Sequence, residues 1–558
     1  MFYDAEMSQR VDVDTVVIGS GAGGLTAALA LANAGQKVLV LEQHYLPGGW
    51  CHSFSLSGYR FSPGVHYIGE LQPGGRMRRL YEGLGLGEMT FCELNPDGYD
   101  HVLIGGERFD FPRGKQKLTD RLCARFPHEQ KGIRGYIDTV DRMGRELDEL
   151  FEIKGIRDVL TIPFRAPTVA RWGLATAESL IRHHVKDPIL AGILAAQSGD
   201  HGLPPSMSPA PVHASVTAHY FEGGYYPRGG AAALPRAYIK ALRKAGGEIR
   251  VRATVDKILI EDRRAIGVRL DDGSEIRARN VISNADPHVT YGRLVGAEHL
   301  SRGLRRKLGK TRYSVSALSL FMATDLDVRA AGMDSGNYWY YPTADVEGIY
   351  KTGLTGWGPE IRDLPGMFLT CTTLKDPSKL HNGHHTMEAF TFVGYDAYQA
   401  WESSKMGERP EAYNRIKVEL LDRMLETASR IVPGLRERVV FADLGTPLTN
   451  VHYCAATGGN LYGTEKSRWQ VGPWAFPVRT EIAGLTLCGS STLSHGVMGA
   501  ALSGLVAARE VTGARIAELL HKRGGPINLV PSEDMASWPA ALRRNIRSRP
   551  EAEEHASA

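Results

Sequence analysis

The sequence predicts an α/β protein: a Rossmann-like nucleotide-binding domain assembled from separated pieces of chain, with an α+β domain on a mixed sheet interleaved between them. Three observations predict it. A strand, a glycine turn, a helix, a second strand and an acid follow one another over residues 13–42. A second strand, glycine turn and helix recur near the other end, in "LTLCGSSTLSHGVMGAALSG" (485–504). The 558 residues are too many for one ordinary core, so two or three domains are expected.

The first element, "VDTVVIGSGAGGLTAALALANAG", turns through Gly19, Gly21 and Gly24 in GxGxxG spacing. Gly19 permits the tight turn, Gly21 lets the backbone approach a pyrophosphate, and Gly24 lets helix pack on strand. The helix N-terminus then faces the phosphates with its partial positive charge. "KVLVLE" makes the next strand and ends at Glu42, where a carboxylate can accept hydrogen bonds from both ribose hydroxyls of an adenosine and repel a 2′-phosphate. This order predicts a dinucleotide without separating NAD from FAD. In "HYLPGGWCHSF", Gly48 and Gly49 follow the acid after a few residues. Large FAD oxidoreductases use such a double glycine to bring a loop against the pyrophosphate and ribityl chain, so the reading becomes FAD, held non-covalently. Its first contacts are Gly19, Ser20, Gly21, Ala22, Gly23, Gly24, Glu42, Gln43, Gly48, Gly49 and Trp50.

Composition excludes several other classes. With 43% hydrophobic and 23% charged residues the chain is not disordered. The 66 Lys and Arg against 62 Asp and Glu leave a net charge of +4, too small at this length to argue for a nucleic-acid partner. Six cysteines without a CxxC pair fit neither a zinc site nor a secreted disulfide framework, which points to a reducing cytoplasm. "MFYDAEMSQRVDVD" carries acids where a signal peptide has a basic region. No run reaches the roughly 18 to 20 apolar residues that span a bilayer, so any membrane contact is expected to be peripheral.

The stretch "VVIGSGAGGLTAALALANAGQKVLVLEQHYLPGGWCHSFSLSGYRFSPGVHYIGEL" resembles the phytoene desaturase superfamily of FAD-dependent oxidoreductases, and within it the branch of carotenoid isomerase and all-trans-retinol 13,14-reductase (retinol saturase). "YYPRGGAAALPRAYIKALRKAGGEIRVRATVDKI" (225–258), "VISNADP" (281–287) and "LCGSSTLSHGVMGAALSG" extend the resemblance over nearly the whole chain. Trp50 and Cys51 follow the double glycine where many desaturases and amine oxidases have Arg. The resemblance implies a discontinuous FAD domain of the amine-oxidase-like type, from residues 12–115, 225–290 and 475–520. It implies a substrate domain from 116–224 and 291–474, and residues 525–558 read as a flexible tail. Val255 would lie against the adenine, and Gly489, Ser490, Gly496, Val497 and Met498 would close on the isoalloxazine as the second jaw of one FAD site. In the substrate domain "SVSALSLFMATDL", "GMFLTCTTL" and "TMEAFTFVGY" read as strands, and "EAYNRIKVELLDRMLETASRIV" as a helix with apolar residues every three and four positions.

His66 and Tyr67 in "GVHYIG" and His495 in "LSHGVMG" are the catalytic candidates, as proton donors or polar anchors beside the flavin. "YYPRGG" is expected to set Tyr226, Gly229 and Gly230 near the ring, with Arg228 as an anchor for a polar end. "HNGHH" has no acid or cysteine framework around it, so no metal is assigned. There is no second strand–GxGxxG–helix unit, since "EGLGLGEM" lacks the strand; NAD(P)H is therefore expected only as an external electron donor. The segment Phe164 to Ile181 mixes aromatic and basic residues, as a helix over the core or a rim resting on a bilayer. The expected activity is addition, removal or shift of double bonds in a long apolar polyene or lipid. Two alternatives stay open: an amine-oxidase-type oxidase, with Trp469 and Trp474 as its aromatic pair, and a prenyl-lipid carrier of the Rab GDP-dissociation inhibitor type, which shares the fold without FAD.

Overall fold

The computed structural model describes residues 11–150, 161–355, 363–521 and 524–547. The apolar runs at the two ends of the chain meet in one sheet. Val13–Ile18 lies between Glu275–Ser283 and Val38–Leu41, parallel to both. Glu248–Arg250 extends the sheet beside Val38–Leu41, and Leu485–Leu487 pairs in parallel with Val281–Ser283. Two antiparallel strands, Val255–Glu261 and Arg264–Leu270, run beside the first half of Glu275–Ser283. Parallel neighbours require crossovers, and the crossovers bring helices onto the sheet. Helices Ala22–Asn33, Ala233–Lys244 and Gly496–Thr512 bury one apolar face. The other face packs Val16, Ile18, Leu39 and Leu41 against Tyr291 and Leu294.

The second sheet has seven strands in the order Val439–Gly445, Ser316–Thr324, His385–Val393, Met367–Cys371, Asn337–Tyr341, Asp100–Ile104, Glu107–Phe111. It is mixed: Asn337–Tyr341 runs parallel to Asp100–Ile104, and its other pairings are antiparallel. One face is buried under helices from the segment 115–219, and Glu411–Ile431 lies over the other. This confirms an α/β protein whose second unit carries a mixed sheet.

Two expectations are corrected. Residues 100–111, placed by sequence with the nucleotide sheet, fold as a hairpin at the edge of the second sheet, because Asp100–Ile104 finds its partner in Asn337–Tyr341. Residues 525–547 are not a loose tail: Asn528–Pro531 pairs in parallel with Thr90–Glu93, and Trp538 is buried with its indole N–H donating to the Pro531 carbonyl at 2.7 Å. The rest of that stretch, 548–558, lies outside the described residues.

Candidate active site between the two sheets

A cavity opens where the first glycine turn faces the second sheet. Residues 19–23, Glu42, Gln43, Gly49, Trp50, His66, Tyr67 and Val255 line it. So do Gly489, Ser490, His495, Gly496, Val497 and Met498, so the structure brings the two separated glycine elements to one site. Gly24 and Gly48 stand outside the lining. A Cβ on Gly24 would strike the Gly19 carbonyl, so its place is in packing the helix against the turn. Gly489 has φ +96°, which an L side chain rarely adopts.

Side-chain hydrogen bonds fix these loops relative to each other. Ser20 donates from its backbone N (2.9 Å) and its hydroxyl (2.6 Å) to one oxygen of Glu42, and its hydroxyl accepts the Gly48 N–H at 2.9 Å. The His44 N–H donates to the other Glu42 oxygen at 2.9 Å. The acid, the glycine turn and the double-glycine loop are therefore one unit. Asn284, absent from the sequence reading of the site, lines the cavity and accepts the Gly24 N–H at 3.0 Å.

The cavity suits a dinucleotide on a specific ground. Helices Ala22–Asn33 and Gly496–Thr512 both start at its wall, with Ala22, Gly23, Gly496 and Val497 among the lining, and neither is capped by the side chain of its own N-cap residue. Apart from the Gly24 N–H, which Asn284 takes, their leading N–H groups are available to phosphate and to ring or ribityl oxygens. Glu42, beside apolar Leu41, Ala253 and Val255, suits an adenosine end. These residues fit FAD.

The opposite wall is aromatic and apolar, with Phe368, Phe390, Tyr220, Tyr462, Val216 and Leu461. The His66 ring lies tilted against Phe368, with centroids 5.1 Å apart, and its Nε2 is 3.2 Å from Glu388. Burial would raise the Glu388 carboxyl, but Lys379 and His66 outweigh it and hold it below the usual carboxylate range. His495 directs Nε2 at the Asp200 backbone carbonyl, 2.6 Å away. A carbonyl only accepts, so Nε2 carries the proton and Nδ1, which has no partner, is a lone-pair acceptor. Burial pushes this imidazole down to about 3, so it is neutral and its single N–H is already engaged. The expected proton-donor role of His495 is corrected accordingly.

Three further sequence expectations change. Tyr226 is fully buried outside the cavity with Lys379 donating to its hydroxyl at 3.1 Å, in a strand, Tyr225–Pro227, that is buried throughout and contributes no residue to the lining. Arg228 lies over Trp538 and donates to the Leu542 carbonyl, and Gly229 N–H donates to Asp376, so none of the three meets the cavity. Trp469 and Trp474 form an exposed edge-on pair, 64% and 42% accessible, away from the lining. In "HNGHH", His384 bonds the Tyr59 hydroxyl and His385 the Thr373 hydroxyl.

Comparison with known proteins agrees with this geometry. The profile of the family described as flavin containing amine oxidoreductase matches residues 22–512. An all-trans-retinol 13,14-reductase of Danio rerio is 30% identical over 474 residues, covering 81% of this chain and 78% of the relative. A chloroplastic prolycopene isomerase 2 of an Oncidium hybrid cultivar is 28% identical over 539 residues, covering 94% and 87%. A crystal structure of an oxidoreductase from Methanosarcina mazei superposes with a TM-score of 0.59 at 19% identity, over 88% of this chain and 99% of that one, a likeness of fold.

Proposed function

From a chain that belongs to the flavin-containing amine oxidoreductase family, in the carotenoid isomerase and retinol saturase branch of the phytoene desaturase superfamily, we propose an enzyme that saturates one double bond in a conjugated or allylic lipid. The chain is an FAD-dependent oxidoreductase. Isomerisation and desaturation are the neighbouring reactions on the same polyene. The observation that carries the reading is the aromatic wall of Phe368, Phe390, Tyr220 and Tyr462 facing the two glycine turns, a surface suited to a long apolar chain. Bound FAD, in its reduced form, would supply the hydride with its electron pair. The protein's part is to hold the ring between the glycine jaws, lay the polyene along the aromatic wall, exclude water and deliver a proton.

We assign FAD contacts to Gly19, Ser20, Gly21, Ala22, Gly23, Glu42, Gln43, Gly49, Trp50, Val255, Gly489, Ser490, Gly496, Val497 and Met498, on their common lining of the cavity, with Gly24 and Gly48 shaping the loops behind. NAD(P)H visiting the same cavity is the proposed electron source. Peripheral membrane contact is proposed around Phe164–Ile181, where Phe164 and Leu174 are 87% and 60% exposed near Arg165 and Arg171. Among the described residues no helix is long and apolar enough to cross a membrane.

The test uses chemically reduced holoenzyme mixed without oxygen with polyenes and unsaturated acyl lipids. The expected result is reoxidised flavin and a product heavier by two hydrogens. Reduced flavin that ignores every polyene, with oxidised flavin bleached by amines, would instead favour the amine-oxidase alternative. A protein that cannot be reconstituted with FAD would favour the lipid carrier.

A further inference from the structure

Hydride addition to a carbon–carbon double bond needs a proton at the second carbon, and the three histidines in the cavity lining are poorly placed to give one. His495 spends its N–H on the Asp200 carbonyl, the Nε2 of His66 faces Glu388, and His219 accepts the Gly69 N–H at Nε2 while its Nδ1 faces Glu70. A different group stands in the lining. Asp200 closes the short helical stretch Ala196–Asp200 and borders the cavity together with Tyr67.

The hydroxyl of Tyr67 lies 2.8 Å from Asp200 Oδ2 and 3.2 Å from Asp100 Oδ2. One phenol carries one proton, so it can donate to only one of two carboxylates. Both contacts are hydrogen bonds only if the other carboxyl holds a proton and donates it to the phenol oxygen. The remaining partners decide which. Asp100, on Asp100–Ile104, accepts from Gln197 Nε2 at 3.0 Å and from Asn337 Nδ2 at 2.9 Å. The amide of Asn337 is oriented because its Oδ1 accepts from the buried Lys375 ammonium at 2.5 Å. Asp100 is thus surrounded by donors, as an anion requires. Among the described residues the Asp200 carboxyl has Tyr67 as its hydrogen-bond partner.

We propose that Asp200 stores a proton against the cavity and is the catalytic acid that protonates the alkene carbon, with Tyr67 bridging it to the anion of Asp100 as positioning residues. The inference rests on the reading under Proposed function. In the step, the O–H bond of Asp200 breaks and a C–H bond forms at one alkene carbon. The hydride for the other carbon would come from bound reduced flavin, which would be oxidised by two electrons, and the Asp200 carboxylate recovers its proton from solvent after product leaves.

The electrostatics agree with the geometry. Asp200 is partly exposed where it lines the cavity, yet desolvation, reinforced by Asp100, pushes its carboxyl up to about 8. Burial raises Asp100 only to about 6, restrained by Gln197, Asn337 and Lys375. The titratable groups that interact with Asp200 are Asp100, Tyr67, Tyr99, Tyr220, Tyr341, Tyr350 and Tyr462, with the neutral ring of His495 on its backbone. Stacking of Tyr220 on Tyr67, with centroids 4.2 Å apart and planes within 10°, fixes the phenol between the two acids.

The test compares wild-type and Asp200→Asn holoenzyme by infrared spectroscopy at neutral pH and by anaerobic flavin reoxidation. The expected infrared result is a protonated-carboxyl band in the wild type that Asp200→Asn removes. With the variant still yellow, reoxidation by a quinone dye should be unchanged, and reoxidation by the polyene should fall roughly 100-fold or more, the scale of a lost general acid. Tyr67→Phe, which keeps the ring stack, should shift the band without removing it. Polyene rates in Asp200→Asn within a few-fold of wild type would overturn the donor role, and a missing band would overturn the stored proton whatever the substrate proves to be. A wild type that ignores every polyene while the band is present would overturn the proposed function and leave the stored proton standing.

Discussion

Asn284 accepts the Gly24 N–H at 3.0 Å, so a side chain at the end of Glu275–Ser283 fastens the first turn of the helix that begins some 260 residues earlier. The same carboxamide oxygen accepts from the Cys488 thiol at 3.4 Å, just before Gly489. One residue therefore holds both glycine jaws in register. Asn284→Ala leaves a buried amide without a partner, which costs about 1–3 kcal/mol. The melting temperature and FAD affinity should both fall. Asn284→Asp keeps an acceptor, so it should recover stability while weakening FAD through added negative charge. Calorimetry of the apoprotein with flavin titration separates the two effects, and equal flavin affinity in all three chains would place Asn284 outside the cofactor site.

Glu42 is already held by Ser20 and His44, which preorganises its oxygens for a ribose. Glu42→Ala should weaken FAD by about 1.5–3 kcal/mol, the scale of hydrogen bonds to a charged group. Ser20→Ala, which frees both Glu42 and the Gly48 loop, should produce part of that loss. Flavin fluorescence titration measures both, and undiminished affinity in Glu42→Ala would remove the ribose assignment.

The C-terminal segment should behave as part of the core. Trp538 is 1% exposed, and Ser532 donates to the Lys375 carbonyl at 3.1 Å, which ties this segment to the lysine beneath the proton site. Trp538→Ala should cost about 3–5 kcal/mol, the range for large aromatic truncations in a core. Truncation after residue 525 should be at least as damaging in a melt, whereas a true tail would leave the transition where it was.

What the sequence made legible is what neighbouring residues encode together. The first glycine turn, the acid and the double glycine are consecutive, and each glycine answers a local backbone demand, so the pattern is visible without the fold. Asp100, Asp200, Asn337, Lys375 and Glu388 come singly from distant stretches, three from strands and two from the ends of short helices: strand register makes Asp100 and Asn337 direct partners, and the helices Ala196–Asp200 and Thr372–Lys375 bring the other two to them. No period or spacing announces such a meeting. "YYPRGG" looks like a loop at the ring, but Tyr225–Pro227 pairs with Phe91–Glu93 as a buried strand away from the cavity lining, which takes Tyr226 and Arg228 with it. The tail was misread because a four-residue strand that borrows its partner from residues 90–93 has no signal of its own.

Membrane contact should depend on the side chains that are free to reach a bilayer. Phe164 is 87% exposed and Leu174 60%, whereas Leu180 and Ile181 are buried and the Trp172 ring packs edge-on against His183, 5.2 Å away. Phe164→Glu with Leu174→Glu removes the insertion of two large apolar side chains, each worth roughly 1.5–3 kcal/mol when fully buried. Cosedimentation with anionic liposomes should fall at least tenfold, with flavin content unchanged. Trp172→Glu is the wrong probe because it disturbs packing. Equal sedimentation of the double variant and wild type would make this segment an ordinary helical cover.

The stored proton on Asp200 has a consequence for stability that needs no substrate. An unfolded aspartate releases its proton near pH 3.9, and the folded Asp200 keeps it to about 8, chiefly because of desolvation. Between those values the native state binds more protons than the unfolded chain, so stability falls as pH rises. The contribution is complete below the unfolded value and is lost by the time pH passes the folded one. Asp100 and Lys375 also titrate abnormally, but both remain in Asp200→Asn, which lacks only the proton on residue 200. The melting temperature of wild-type holoenzyme should therefore decline relative to Asp200→Asn as pH is raised from about 5 to 8, and the difference should level off above that. Scanning calorimetry at fixed flavin concentration measures it. Parallel pH profiles for the two chains would mean that folded Asp200 is already ionised at pH 5, and the single phenol proton of Tyr67 could then serve only one of its two acids.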